Sequence, residues 1–111
     1  MDEFRMVHLR AMDLCDEGDR LRRRGREAEA CVAFRRACAL EARAARSQGT
    51  AYSAARVWCS AGWCALGGGY VGAALRCAEN GLKALEGVEV GRARDSAAAG
   101  LRDLCDAIAA A

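Results

Sequence analysis

Apolar residues return along this chain in steps of three and four, in five blocks separated by short polar or glycine-rich interruptions. Such a period places them on one face of an α-helix. From Asp2 to about Arg23 the block is Phe4, Val7, Leu9, Ala11, Leu14, Cys15, Gly18 and Leu21. The run Arg22-Arg23-Arg24-Gly25-Arg26 predicts its end, because Gly25 can take the left-handed conformation and cations suit a helix carbonyl end. A second block, Ala28, Ala30, Cys31, Phe34, Ala37, Cys38, Leu40 and Ala44, predicts a helix over about 26–46, broken by Ser47-Gln48-Gly49-Thr50. Thr50 or Ser53 can start a third helix with Val57, Trp58, Ala61, Gly62, Ala65 and Leu66, stopping at Gly67-Gly68-Gly69. Val71, Ala74, Leu75, Ala78, Leu82 and Leu85 predict a fourth helix, and Gly87 to Gly91 a loop. Ala97, Leu101, Leu104, Cys105 and Ile108 predict a short fifth helix over about 93–110.

Composition agrees with an all-α class. Proline is absent, alanine recurs throughout, and β-branched and aromatic residues are scarce, so strands have little support. The 111 residues suit one domain able to bury a core. No apolar run approaches the roughly 20 residues of a membrane span. The opening MDEFRMVHLR has no apolar leader core, and the chain is expected to be soluble and cytoplasmic, with no membrane partner. The seven cysteines are odd in number and lie within helical segments. They read as small buried hydrophobes, and disulfides are not expected.

A formal charge of +2 conceals a polarity. Residues 1–19 carry six acids and two arginines, residues 20–46 nine arginines and three glutamates, and residues 47–111 six of each sign. Arg20, Arg22, Arg23, Arg24 and Arg26, continued by Arg35, Arg36, Arg43 and Arg46, form a basic stripe that could follow phosphates or receive an acidic peptide. No nucleic-acid recognition motif accompanies it, and arginines on a helix face are usually solvated, so nucleic acid ranks as the alternative partner.

Catalytic and metal chemistry find little support. Asp13, Asp16, Glu17 and Asp19 read as a solvated acidic face, and His8 has no evident partner. No Cys-x-x-Cys pair occurs, and Cys31 and Cys38, or Cys59 and Cys64, are spaced wrongly for two ligands on one helix. Gly67-Gly68-Gly69 lacks the following Lys-Ser or Lys-Thr of a phosphate loop. The expectation is no catalytic residue, no metal and no cofactor.

Two helical hairpins repeat one spacing. Leu14, Gly18, Gly25, Ala30, Phe34 and Ala37 of the first correspond to Trp58, Gly62, Gly69, Ala74, Ala78 and Gly81 of the second, each 44 positions on. With Leu21 as a third contact, this large-small-turn-small-large-small order resembles the tetratricopeptide repeat, whose small residues allow close pairing of antiparallel helices. Repeat one would span about 4–46, repeat two about 50–86, and the last helix would cap them. The period exceeds the family's usual one of about 34 residues, the closing proline is missing, and Ala65 and Ala78 are smaller than the residues expected there. A generic helical bundle is the other reading.

The resemblance implies a scaffold without catalytic apparatus, whose concave surface holds an extended peptide or a partner helix. Carried over by position, that surface would include Met12, Cys15, Asp19 and Arg22 from helix one and Arg56, Cys59, Trp63 and Leu66 from helix three. Cysteine, aspartate and tryptophan stand where the family's carboxylate clamp has lysine and asparagine. Trp63 cannot share the face of Trp58, so it either anchors a partner beside Met12 and Leu66 or packs against helix five. Cys15 and Cys59 could be acidified by Arg22 and Arg56. Since about three repeats are usually needed for stability, a homodimer pairing helix one or five is expected.

Overall fold

Each of these blocks forms a helix in the structure, a computed structural model that describes residues 2–111. The elements are α1 (Glu3–Arg23), α2 (Glu27–Arg46), α3 (Ala51–Gly67), α4 (Val71–Leu85) and α5 (Arg92–Ala110), with no strand among the described residues. No helix is long and apolar enough to cross a membrane. Local chemistry starts two of them. The Asp2 carboxylate accepts from the backbone N–H of Arg5 at 2.8 Å, and Thr50 Oγ1 from that of Ser53 at 3.1 Å, each satisfying one orphan donor of a first turn.

The two hairpin turns are built alike. In the first, the N–H of Arg26 donates to the carbonyl of Leu21 at 2.9 Å and that of Gly25 to Arg22 at 3.0 Å. In the second, Tyr70 donates to Ala65 at 2.8 Å and Gly69 to Leu66 at 2.9 Å. All four participants are displaced by 44 positions, and each turn closes the Schellman pattern of paired bonds onto the last helical carbonyls. The motif needs a residue with positive φ, and Gly25 (φ 76°) and Gly69 (φ 73°) supply it. Side-chain spacing and backbone geometry therefore repeat together.

Helices pack in chain order, α1 on α2, α2 on α3, α3 on α4, and α5 against both α3 and α4. The core is made largely of alanine: Ala11, Ala30, Ala37, Ala55, Ala61, Ala65 and Ala74 are fully buried. A few large side chains fill what these leave open. A Cβ on Gly18 would fall 2.8 Å from the Phe34 ring, and one on Gly67 3.1 Å from it, so Phe34 wedges between the middle of α1 and the end of α3. The counterpart of Phe34 is Ala78, which cannot fill the corresponding space. Leu104 of α5 does so, lying against Gly62, while Leu101 lies where a Cβ on Gly81 would meet it at 2.6 Å. The second hairpin thus takes its large residues from the fifth helix.

That substitution corrects the sequence reading of α4. Val71, Leu75 and Leu82, expected on its inner face, are exposed, and the buried face is Ala74, Cys77, Ala78, Gly81 and Leu85. Apart from Leu85 at the helix end, that face carries only small side chains, because Trp58, Leu101 and Leu104 already occupy the interior beside it. Leu9 of α1 is likewise exposed.

Candidate functional site

An open cleft of about 420 Å³ lies between α3 and α5, lined by Arg56, Cys59, Ser60, Trp63 and Cys64 on one side and Ser96, Ala97 and Gly100 on the other. Its position follows from helical spacing: Arg56, Cys59, Ser60 and Trp63 share one face of α3, while Trp58 and Ala61 point to the core. Trp58 is 9% exposed and Trp63 43%. Trp63 shares the cleft with α5 residues and still presents a large part of its ring to solvent. The small residues Ser96, Ala97 and Gly100 keep the opposite wall low.

The expected concave residues do not share one surface. Arg56, Cys59 and Trp63 come together in the cleft. Arg56 is exposed, its Nη1 donating to the Tyr52 hydroxyl at 2.9 Å with the guanidinium 5.7 Å from that ring. Met12 and Leu66 instead pack as partly buried residues against the main core. Asp19 is exposed on α1.

Arg22 serves the chain itself. Its guanidinium donates to both carboxylate oxygens of Glu27 at 2.7 and 2.9 Å and to the carbonyl of Gly67 at 2.6 Å, and it stands 4.9 Å from the Phe34 ring centroid. One cation therefore ties the first turn to the end of α3, where Phe34 is inserted. The thiol it donates toward is that of Cys31, at 4.0 Å.

Other members of the stripe are similarly engaged. Arg26 pairs with Glu29 and Arg43 with Glu3, both at 2.6 Å, while Arg35 stacks on Tyr70 and Arg46 on Trp58. Arg20, Arg23, Arg24 and Arg36 are exposed and form no ion pair among the described residues.

Two interior features escaped the sequence reading. His8 does have a partner: its Nδ1 lies 2.9 Å from Oε1 of Glu41, 33 positions away on α2. Glu41 is fully buried, and its Oε2 has no hydrogen-bond partner. The available signal was positional. Glu41 continues the series Phe34, Ala37, Cys38, Ala44, Ala45 that forms the buried face of α2.

The second feature is thiol pairing. Cys15 Sγ of α1 and Cys64 Sγ of α3 are 3.2 Å apart. The hydrogen bond from Cys64 pulls the Cys15 thiol below its ordinary pKa, outweighing burial and the charges of Glu41, Asp19 and Asp16; sharing that bond and burial push Cys64 up. Cys38 and Cys77 behave likewise, Cys38 lowered by its Cys77 neighbour and Cys77 raised. Cys59 is raised, because burial outweighs the nearby Trp63 and Arg56. Arginine therefore is not what acidifies Cys15, and Cys59 moves opposite to the expected direction. All seven cysteines are free. No group of three or more His, Cys, Asp or Glu among the described residues could hold a metal ion.

Fold and cleft together define an all-helical hairpin protein with an open interhelical groove. Compared with known proteins, the chain matches no family model, no curated protein and no solved structure.

Proposed function

We propose that this chain is a non-catalytic protein-interaction module of tetratricopeptide-repeat type that holds a peptide or a partner helix in the groove between α3 and α5. The observation that carries the reading is Trp63, 43% exposed at the wall of a cleft of about 420 Å³. A large, rigid aromatic ring beside a low wall of small residues is the kind of anchor that dominates binding energy at interfaces. The repeated turns, with positive-φ glycines 44 positions apart, support the repeat assignment. The engagement of Arg22, Arg26, Arg35, Arg43 and Arg46 within the chain favours a protein partner over nucleic acid, since a phosphate backbone would have to compete for cations already held. We place the module in the cytoplasm, where its thiols would be kept reduced.

The test begins with Trp58→Phe, which leaves Trp63 as the sole tryptophan, and peptides selected from a displayed random library. Bound peptide is expected to shift Trp63 emission. Trp63→Ala is expected to weaken binding at least about tenfold, some 1.4 kcal/mol, with the helical circular dichroism unchanged. Loss of helicity in Trp63→Ala would assign the ring to the core, and undiminished peptide affinity would move the binding surface elsewhere.

A further inference from the structure

Among the cysteines, only one pair joins thiol-to-thiol contact with access from outside. Cys38 and Cys77 are both buried, and Cys59 carries a thiol raised by burial. In the Cys15–Cys64 pair, Cys64 is buried and its thiol raised, but its partner Cys15 is partly exposed and lowered. Their sulfurs are 3.2 Å apart, little more than an ångström beyond the roughly 2.05 Å of a disulfide bond. Cys15 is half-buried, with part of its surface in solvent, and Cys64 lines the groove cavity. The two sit on separate helices that share one buried cluster, which includes Ala11, Ala61, Cys64 and Ala65.

We propose that Cys15 and Cys64 are a thiol–disulfide exchange site that takes a low-molecular-weight disulfide, written R–S–S–R, as oxidant and closes into a reversible cross-link between α1 and α3. Cys15 is the attacking thiol, being the more exposed and the one acidified by its neighbour. Its thiolate attacks one sulfur of R–S–S–R, forming a mixed disulfide and releasing the first R–S⁻. The Cys64 thiol then loses its proton and attacks Cys15 Sγ, forming the Cys15–Cys64 bond and expelling the second R–S⁻. The two protons lost by the cysteines appear on the two leaving thiolates. In balance, two protein thiols are oxidised to one disulfide, and R–S–S–R is reduced to two R–SH.

The cross-link would span 49 positions and enclose the whole of α2. A loop of that length restricts the unfolded chain strongly, so closure is expected to raise the unfolding temperature on the order of 10 °C. Because Cys64 lies in the α3 wall of the groove beside Trp63, closure would also tie that wall to α1.

The experiment treats the folded, fully reduced protein with oxidised glutathione, quenches in acid, and maps tryptic peptides without reduction. The expected result is a peptide joining Cys15 to Cys64, reversed by dithiothreitol, with the rise in unfolding temperature. In Cys64→Ser the reaction should stop at glutathione on Cys15, and in Cys15→Ser no cross-link should form at all. Cys38→Ser should close as wild type does. In urea-unfolded wild type, where seven thiols compete, this linkage should form at least about tenfold more slowly, because the fold no longer supplies the high effective concentration. Unreacted thiols, a persistent mixed disulfide on wild-type Cys15, a different linkage, or bonds only between chains would each overturn the proposal. The wild-type map decides the matter even where a serine variant does not fold.

Discussion

Cys15 and Glu41 show how single residues acquire chemistry from neighbours distant in sequence. The Cys15 thiol is lowered because Cys64 donates toward it, against opposition from burial and from the charges of Glu41, Asp19 and Asp16. Replacing Cys64 with alanine removes the donor and leaves the opposing influences. The pH at which Cys15 becomes reactive is then expected to rise. Cys15 in the wild-type protein should be alkylated by iodoacetamide at lower pH than an ordinary thiol, and in Cys64→Ala at higher pH, read peptide by peptide by mass spectrometry. An unchanged profile would show that Cys64 does not set the acidity of Cys15. The residues of this site were in plain view in the sequence, and their pairing was not. Helical periodicity orders positions within one element, whereas Cys15 and Cys64, or His8 and Glu41, meet only when separate helices take their rotation and depth. Glu41 was nonetheless detectable, since a carboxylate at an inward position of an apolar series must find a partner or remain costly. Arg22 was misleading for the same reason: its spacing suggested a groove residue, and only the fold brings the Gly67 carbonyl within its reach.

The five helices were legible as elements because glycine clusters and capping residues punctuate a regular apolar period. Which face of each helix turns inward was harder to read where the interior is lined by small residues. In α4 the large side chains Val71, Leu75 and Leu82 lie outside, since Leu101 and Leu104 from α5 already fill the space over Gly81 and Gly62. A hydrophobicity pattern weights large residues, so it points the wrong way wherever helices approach through alanine and glycine. The glycines themselves separate two physical roles, and their substitution measures each. Gly25 and Gly69 have nothing within 4 Å of a built Cβ, so alanine there costs only the positive-φ conformation, about 1 kcal/mol in urea unfolding. The two costs should be equal, because the turns share one hydrogen-bond pattern. Gly18 has negative φ and no free space, its Cβ falling 2.8 Å from the Phe34 ring. Gly18→Ala should cost roughly 1–3 kcal/mol through overpacking, with Phe34 displaced from between α1 and α3. A neutral Gly18→Ala would mean that the ring can move aside without loss.

At the scale of the whole molecule, the two hairpins share a residue spacing and a turn geometry but not their surroundings. Trp58 packs into the main core against residues of α2, with Arg46 stacked over its ring at 5.3 Å. The corresponding residue of the first hairpin, Leu14, is only partly buried. Its outer side opens into two adjoining cavities of about 310 and 300 Å³, which both include Leu14 and Arg36 and which extend along α1 and α2 past Leu21, Val32 and Leu40. This partly open apolar face is where the homodimer expected from the sequence would place a second copy. Glu17 and Glu29 stand in the same groove as Arg36, so two copies related by a two-fold axis can set acids of one against the arginine of the other. Light scattering across concentration should therefore give twice the chain mass of 11.8 kDa. Val32 is 49% exposed on this face, so Val32→Glu adds a charge there without disturbing the core. It is expected to return the protein to monomers with its helicity intact and with the Trp63 groove still competent to bind peptide. A wild-type monomer at all concentrations would sink the pairing, and a dimer indifferent to Val32→Glu would transfer it to the other face considered, that of α5.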